Sequence, residues 1–419
     1  MATTKVSGEL VDLNESTSES GLKIPTGTNN NRPATDVAGM VRNNTNEDSE
    51  GSVSCEEYYN GTDWKKINNV AIPPIVGFKS VIWTGNASGG SPATQNITGL
   101  GFKPDWVWIK ERNGATNQML TDSVRGATKS IRSNSTNAEA TVAQSLKSFD
   151  SNGFTLGTSA EPNTSSGNYV GWSWRGSDSS ASSNEDGSIT STVSANSTSG
   201  FSIVTWTGSG SSATIGHGLG STPKFIIVKN RTDSVNWFVY HNSVITASAT
   251  NKSFMTLNTT DALGTNGSAT TFTSVSDTTF GVGTDNIING SSDNMIAYVF
   301  ADTGNKFFKT GKYTGNGSAS GPYIYTGHKP AAIIIKRTDV AKNWYINDNL
   351  REGYNNDNPY ISPNLSVAET GGTEIDILSN GFRITAGGTG HNQSGGTYMY
   401  ASIAANPFVT SSGIPACAR

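Results

Sequence analysis

A threefold internal repetition constrains this chain more than any other feature. The segment Phe78 to Trp174 opens with KSVIWTGN, continues through GLGFKPDWVWIKERNG and closes with NGFTLGT and NYVGWSW. The same order returns from Phe201 as FSIVTWTGSG, GLGSTPKFIIVKNRTD, TFGVGT and NMIAYVF. From Phe308 it returns again as FKTGKYTGNG, TGHKPAAIIIKRTD, NGFRITA and TYMYASI. Pro104, Pro223 and Pro330, which precede the middle run of each copy, lie 119 and 107 residues apart (223 − 104 and 330 − 223). Units of about 20 to 50 residues stack into solenoids because none buries a core alone, whereas a unit of about 100 residues can fold by itself. The 419 residues therefore read as three homologous domains behind a different N-terminal segment.

The runs inside each copy are short and rich in β-branched and aromatic residues: Val81 to Trp83, Trp106 to Ile109, Phe154 to Leu156 and Tyr169 to Trp174 in the first. They are too short for helices, so the expected fold class is all-β. Phe225 to Val228 and Ile333 to Ile335 are continuously apolar. Such strands need cover on both faces, which points to two-sheet sandwiches. The stretch Asp122 to Ser133 is the one helical turn expected in the first copy.

The expected boundaries follow. Residues 1–36, polar and punctuated by Gly21, Pro25, Gly27 and Pro33, read as an extended anchoring arm. Residues 37–70 read as a small β-hairpin module, with Asn60-Gly61 as the turn. The three sandwiches span 71–176, 200–303 and 304–408, with a Ser-rich linker at 177–199 and a tail at 409–419.

Only 15% of residues are charged, the net charge is −4 and the pI is near 5.6. No basic block exists to replace the counterions of a phosphate backbone, so nucleic acid is not an expected partner. No apolar run approaches the roughly 18 residues that would span a bilayer, and MATTKVSGEL lacks the regions of a secretion signal. Cys55 and Cys417 lie near opposite ends without CxxC spacing, so neither a disulfide nor a metal site is expected. NTNEDSEG at Asn44 to Gly51 lacks the alternation and final Glu of a calcium loop, and turn chemistry explains it.

Lys110/Arg112, Lys229/Arg231 and Lys336/Arg337 recur after the anchoring prolines. A repeated anion site is one reading; charges that end a buried strand and keep the loop in water are the favoured one, because features shared by diverged copies usually hold the fold. Trp237 and Trp344 correspond to Gln118, and core packing is the expected role of most aromatics. His217, His241, His328 and His391 do not align, and no HExxH or GxSxG is present. No catalytic residue, cofactor or metal is expected. In the third copy, REGYNNDNPY places Arg351, Tyr354 and Tyr360 in one polar loop able to stack on and hydrogen-bond a sugar; an ordinary surface loop is the alternative.

F-x-V-x-W-T-G, G-L-G-x-x-P-x-x-I-I-V-K-x-R, W-x-V-Y and G-F-x-V-G-T, most complete from Phe201 to Thr284, resemble a domain of tailed-bacteriophage structural proteins, especially those of marine bacteria. The segment IPTGTNNNRPATDVAGMVRNNTN with EYYNGTDWKKI is similar to a module of phage tail-fibre proteins. The resemblance implies a virion protein made in the host cytoplasm, docked on other virion proteins through residues 1–70, with a homotrimer as the expected oligomer. Its expected function is a non-enzymatic tail-fibre or appendage adhesin that meets a host surface glycan or protein. An architectural head or tail protein without a receptor is the alternative, and a depolymerase tailspike comes third.

Overall fold

Alternation of apolar and polar residues gives each strand one face to bury, and the continuous runs give both. The structure, a computed structural model, describes residues 77–405 except 88–93, 178, 266, 303–306, 352–354, 356–357 and 389, and from the N-terminal part residues 26–27, 41–44, 55–59, 62 and 64–66. The chain divides into two compact units, residues 1–74 and 75–419. Among the described residues no helix is long and apolar enough to cross a membrane.

The first unit holds one sheet of β1 (Thr26–Gly27), β2 (Val41–Asn44), β3 (Cys55–Tyr59) and β4 (Trp64–Lys66), in that order. β3 and β4 pair antiparallel, with Tyr59 opposite Trp64; Asn60 and Gly61, the expected turn, lie outside the described residues. β1 pairs in parallel with β2, so part of the expected arm belongs to this sheet. Residues 45–51 of the acidic segment lie outside the described residues.

In the second unit, the first repeat contains β5 (Phe78–Thr84), β6 (Gln95–Thr98), β7 (Trp106–Glu111), β8 (Met119–Asp122), β9 (Lys129–Arg132), β10 (Ala140–Thr141), β11 (Leu146–Asp150), β12 (Gly153–Leu156), α1 (Ala160–Asn163) and β13 (Asn168–Trp174). The segment 177–199 is not a linker: it forms β14 (Ser182–Asn184) and β15 (Ser191–Asn196), which extend the sheet of the second repeat. That repeat continues with β16 (Phe201–Thr207), β17 (Ala213–Gly216), β18 (Pro223–Asn230), β19 (Trp237–His241), β20 (Ser253–Thr256), β21 (Gly264–Thr265), β22 (Phe272–Val275), β23 (Thr279–Val282), α2 (Asn286–Asn289) and β24 (Asn294–Ala301). The third comprises β25 (Phe308–Thr314), β26 (Tyr323–Tyr325), β27 (Pro330–Arg337), β28 (Trp344–Asp348), β29 (Ile375–Leu378), β30 (Gly381–Ile384) and β31 (Thr397–Ala404).

One topology recurs three times. The large sheets share the order β5-β13-β7-β8, β16-β24-β18-β19 and β25-β31-β27-β28; the small sheets share β6-β12-β11, β17-β23-β22 and β26-β30-β29. All neighbours in these orders are antiparallel. The helical turn expected at 122–133 is instead a turn followed by β9, because Ile131 and Arg132 continue the sheet beside β8.

The large sheets are buried on both faces, but their second cover is the other repeats. In β7, Val107 and Ile109 pack with Ile97, Leu146 and Phe154 of their own small sheet. Trp106 and Trp108 on the opposite face belong to a core shared by all three repeats. Trp106 stacks on Trp174 at 4.2 Å, on Tyr298 of the second repeat at 4.0 Å and on Phe201 at 5.7 Å. Phe300 carries the contact onward to Phe308 of the third repeat at 5.0 Å. β27 divides likewise, with Ile333 and Ile335 facing their own sheet and Ala332 and Ile334 the shared core. The expectation of separate sandwiches in tandem therefore needs correction: residues 75–419 are one unit of three interlocked sandwiches.

Candidate functional site

The recurring lysines end the central strand of each large sheet and are buried, so they do not keep their loops in water as expected. Lys110 Nζ donates to the carbonyls of Glu111 and Gly114; Lys229 Nζ to those of Val235 and Thr136; Lys336 Nζ to those of Arg337, Lys342 and Thr260. Burial lowers each ammonium to about 8, so it stays protonated at pH 7. These groups staple loops and present no cation to an anionic ligand.

Thr136 and Thr260 belong to the repeat before the lysine they serve, and this relation is general. Trp237 Nε1 donates to the Arg132 carbonyl at 3.0 Å, Trp344 Nε1 to that of Thr256 at 2.9 Å, and Gln118 Nε2 to that of Ser362. Second touches first, third touches second and first touches third through equivalent positions, so the three repeats close a ring. Each acceptor loop is fixed alike: Asn134, Asn258 and Asn364 accept from the backbone N–H of Gln118, Trp237 and Trp344 within their own repeats.

Two junctions of the ring are ionic. Arg231 pairs with Glu139, which also meets Arg125; Arg125 is held by Asp122, and Asp122 accepts from Tyr298 Oη at 2.8 Å. Arg112 pairs with Glu369, which meets Arg351; Arg351 is held by Asp348, and Asp348 accepts from Trp172 Nε1 at 2.9 Å. At the junction of the third repeat with the second, Leu263 replaces the glutamate and Thr338 the outer arginine, with the Leu263 N–H donating to the Thr338 carbonyl at 2.9 Å. His241 stands where Asp122 and Asp348 stand and meets the Tyr400 carbonyl at 2.9 Å. Burial pulls this imidazole down to about 4, keeping it neutral.

The site expected in the third repeat changes accordingly. Arg351 is not a surface contact, because its side chain is 0% exposed and engaged at the ring junction. Tyr360 is half-buried against Tyr345 and His391. Tyr354 lies outside the described residues. Among the described residues, no group of three His, Cys, Asp or Glu is placed to hold a metal ion.

The exposed aromatics are elsewhere in that repeat. Tyr323 and Tyr325 in β26 are 48% and 62% exposed, while Ile324 between them is buried. Register places Tyr323 beside Arg383 of β30 and Arg383 beside Asp376 of β29, all on the outward face of the small sheet. Tyr323 Oη donates to Asn380 Oδ1 at 2.6 Å, and Arg383 Nη2 donates to Ser320 Oγ at 2.9 Å. Desolvation, with Tyr325 beside it, raises the Tyr323 phenol above its ordinary value. Ile97, Ile215 and Ile324 face Phe154, Phe280 and Phe382, so the positions of Tyr323 and Tyr325 hold Asn96 and Thr98 in the first repeat and Thr214 and Gly216 in the second. Aligning YIY with QNIT and ATIG finds this difference in sequence; its exposure required the fold. The face combines two aromatic planes with a guanidinium, a carboxylate and an amide, a set that can stack on and hydrogen-bond a polyhydroxylated ligand.

The model of one family, described as a domain of unknown function (DUF7483), matches residues 74–407, which take in all three repeats. No curated protein matches the chain.

Proposed function

We propose, taking as premise that the chain belongs to the DUF7483 domain family, that it is a non-enzymatic structural protein of a tailed-phage particle and acts as an appendage adhesin. In this reading the unit of residues 1–74 docks on other virion proteins, and any trimerisation of whole chains lies there, since the threefold body of residues 75–419 closes within one chain. The body then meets the host surface through its third repeat. The observation that carries the reading is the outward pair Tyr323 and Tyr325, present only where this repeat departs from its siblings. The sequence resemblance to phage fibre proteins supplies the particle.

The test is binding of the full chain to host envelopes, compared with Tyr323→Ala/Tyr325→Ala and with Asn96→Ala in the first repeat as control. Loss of binding in the tyrosine variant alone is expected. Equal binding of all three proteins, or of none above background, refutes the adhesin and leaves the architectural alternative.

A further inference from the structure

Buried polar atoms are almost always paired, because an unmade hydrogen bond costs the whole desolvation of the group. On one side of the third sandwich, four buried side-chain atoms have no partner among the described residues: Asn347 Oδ1, Asn358 Oδ1, Glu374 Oε2 and His391 Nε2. Strand pairing beside β28 brings their residues together. Ile346 is bridged to Ile361 and Tyr360 to Thr370, so Tyr345, Asn347, Asn358 and Tyr360 share one face of the ribbon. Asn347 Nδ2 donates to the Asn358 carbonyl at 3.1 Å, and the Asn358 N–H donates to that of Gly372 at 2.7 Å. The His391 ring lies 4.2 Å from that of Tyr345 and 5.8 Å from that of Tyr360. Glu374 folds back so that its Oε2 lies in the space a Cβ on Gly372 would fill.

The second repeat builds the same corner without open atoms. It holds Phe238, Phe254 and Ile288 where the third holds Tyr345, Tyr360 and His391, and Phe238 stacks on Phe254 at 4.2 Å. Thr271 stands in the place of Glu374, and its hydroxyl donates to the Ser253 carbonyl and accepts from Asn251 Nδ2. The third repeat puts a carboxylate there instead. Burial raises the Glu374 carboxyl above its ordinary value, with only its own backbone N–H opposing. Burial also pulls His391 down to about 3, so the imidazole is neutral and brings no charge to meet the carboxylate.

We propose that this corner binds the primary ammonium group of a ligand. An ammonium carries one positive charge and three N–H donors, which match one uncompensated carboxylate and the three open oxygens of Asn347, Asn358 and Glu374. The Tyr345 and Tyr360 rings favour a cation over a neutral group of the same shape. Tyr360 and Glu374 are half-buried, which leaves the corner open to solvent on their side. A metal ion would find only Glu374 and His391 among its commonest ligand types, and the rings would add nothing to it.

Saturation-transfer NMR of the full chain with n-butylammonium at pH 7 tests this, with n-butanol as the uncharged probe of the same shape. Saturable binding of butylammonium is expected, at least tenfold tighter than butanol and at least tenfold weakened by Glu374→Gln. Absence of saturable binding, or equal affinity in the Gln variant, overturns the proposal. One equivalent of calcium or zinc retained by the chain, with no butylammonium bound, overturns it in favour of a metal centre. Tyr360→Leu keeps the bulk and removes a ring, so it should weaken butylammonium at least threefold and leave butanol unchanged. An equal effect on both probes overturns the proposal independently of Glu374.

Discussion

Replacing Trp106 by Ala tests whether the three repeats are one cooperative body. The ring contacts Trp174 in its own repeat and Phe201 and Tyr298 in the next, and Trp106 is 1% exposed. Burying a tryptophan removes about 150–250 Å² from water, which at ~25 cal/mol per Å² is ~4–6 kcal/mol; measured truncations of large aromatics cost about 3–5 kcal/mol. We take ~4 kcal/mol. For a cooperative unit spanning residues 75–419, an unfolding entropy of about 2.1 cal/mol/K per residue sums to roughly 0.7 kcal/mol/K, so Tm should fall by about 6 °C. The assay is calorimetry of the full chain, following the main transition. The whole transition should move together, because the lost contacts bind the first repeat to the second. If a minor transition moves and the rest melts at the original temperature, the repeats fold separately and the shared core is not what joins them. A total loss below about 1 kcal/mol, typical of exposed positions, would also refute the reasoning.

Glu139→Gln strips the carboxylate shared by Arg125 and Arg231. It should cost about 2–3 kcal/mol, less than the ~3–5 kcal/mol of a fully broken buried pair because Asp122 still holds Arg125; an unchanged urea midpoint would refute it. The combined change Leu263→Glu/Thr338→Arg should install the same pair at the third junction within ~1 kcal/mol of the parent, whereas failure to fold would show that the junctions are not equivalent. Asn163, Asn289 and Asn392 are buried, and each accepts from the backbone N–H of Asn86, Ser209 or Asn316 after the first strand. Each Asn→Ala change should cost about 1–3 kcal/mol, and a neutral result would deny that tie. The unfolded chain keeps its lysine protons to about 10.5 while Lys110, Lys229 and Lys336 release theirs near 8 when folded. The folded state binds fewer protons in that window, so stability rises with pH from about 8 to 10. Above 10 the trend reverses, because Tyr298 and Tyr313 hold their protons when folded and lose them unfolded; urea midpoints across this range that stay flat would refute the assignment.

Much of the architecture was legible in sequence because it depends on local pattern. The repeated runs marked the strands, and Lys110, Lys229 and Lys336 were recognisable as strand ends. Arg337, which the sequence grouped with Arg112 and Arg231, does not stand where they stand: the equivalent position holds Thr338, and Arg337 pairs with Asp339.

The sequence by itself determined three copies of one all-β unit, since a period of two and runs of β-branched and aromatic residues act within a few residues of one another, whereas the strand order came only from the fold. It also required that strands such as Phe225 to Val228 and Ile333 to Ile335 be covered on both faces. What covers the second face was decided only by tertiary structure. Trp106 is as apolar in a lone sandwich as in a shared core, and Arg351 has the same charge on a surface loop as beside Asp348 and Glu369. Burial and pairing depend on which distant residue arrives, and residue pairs far apart in the chain, such as Lys336 with Thr260, 76 positions apart, and Arg112 with Glu369, 257 apart, close the ring without a local signal in the chain.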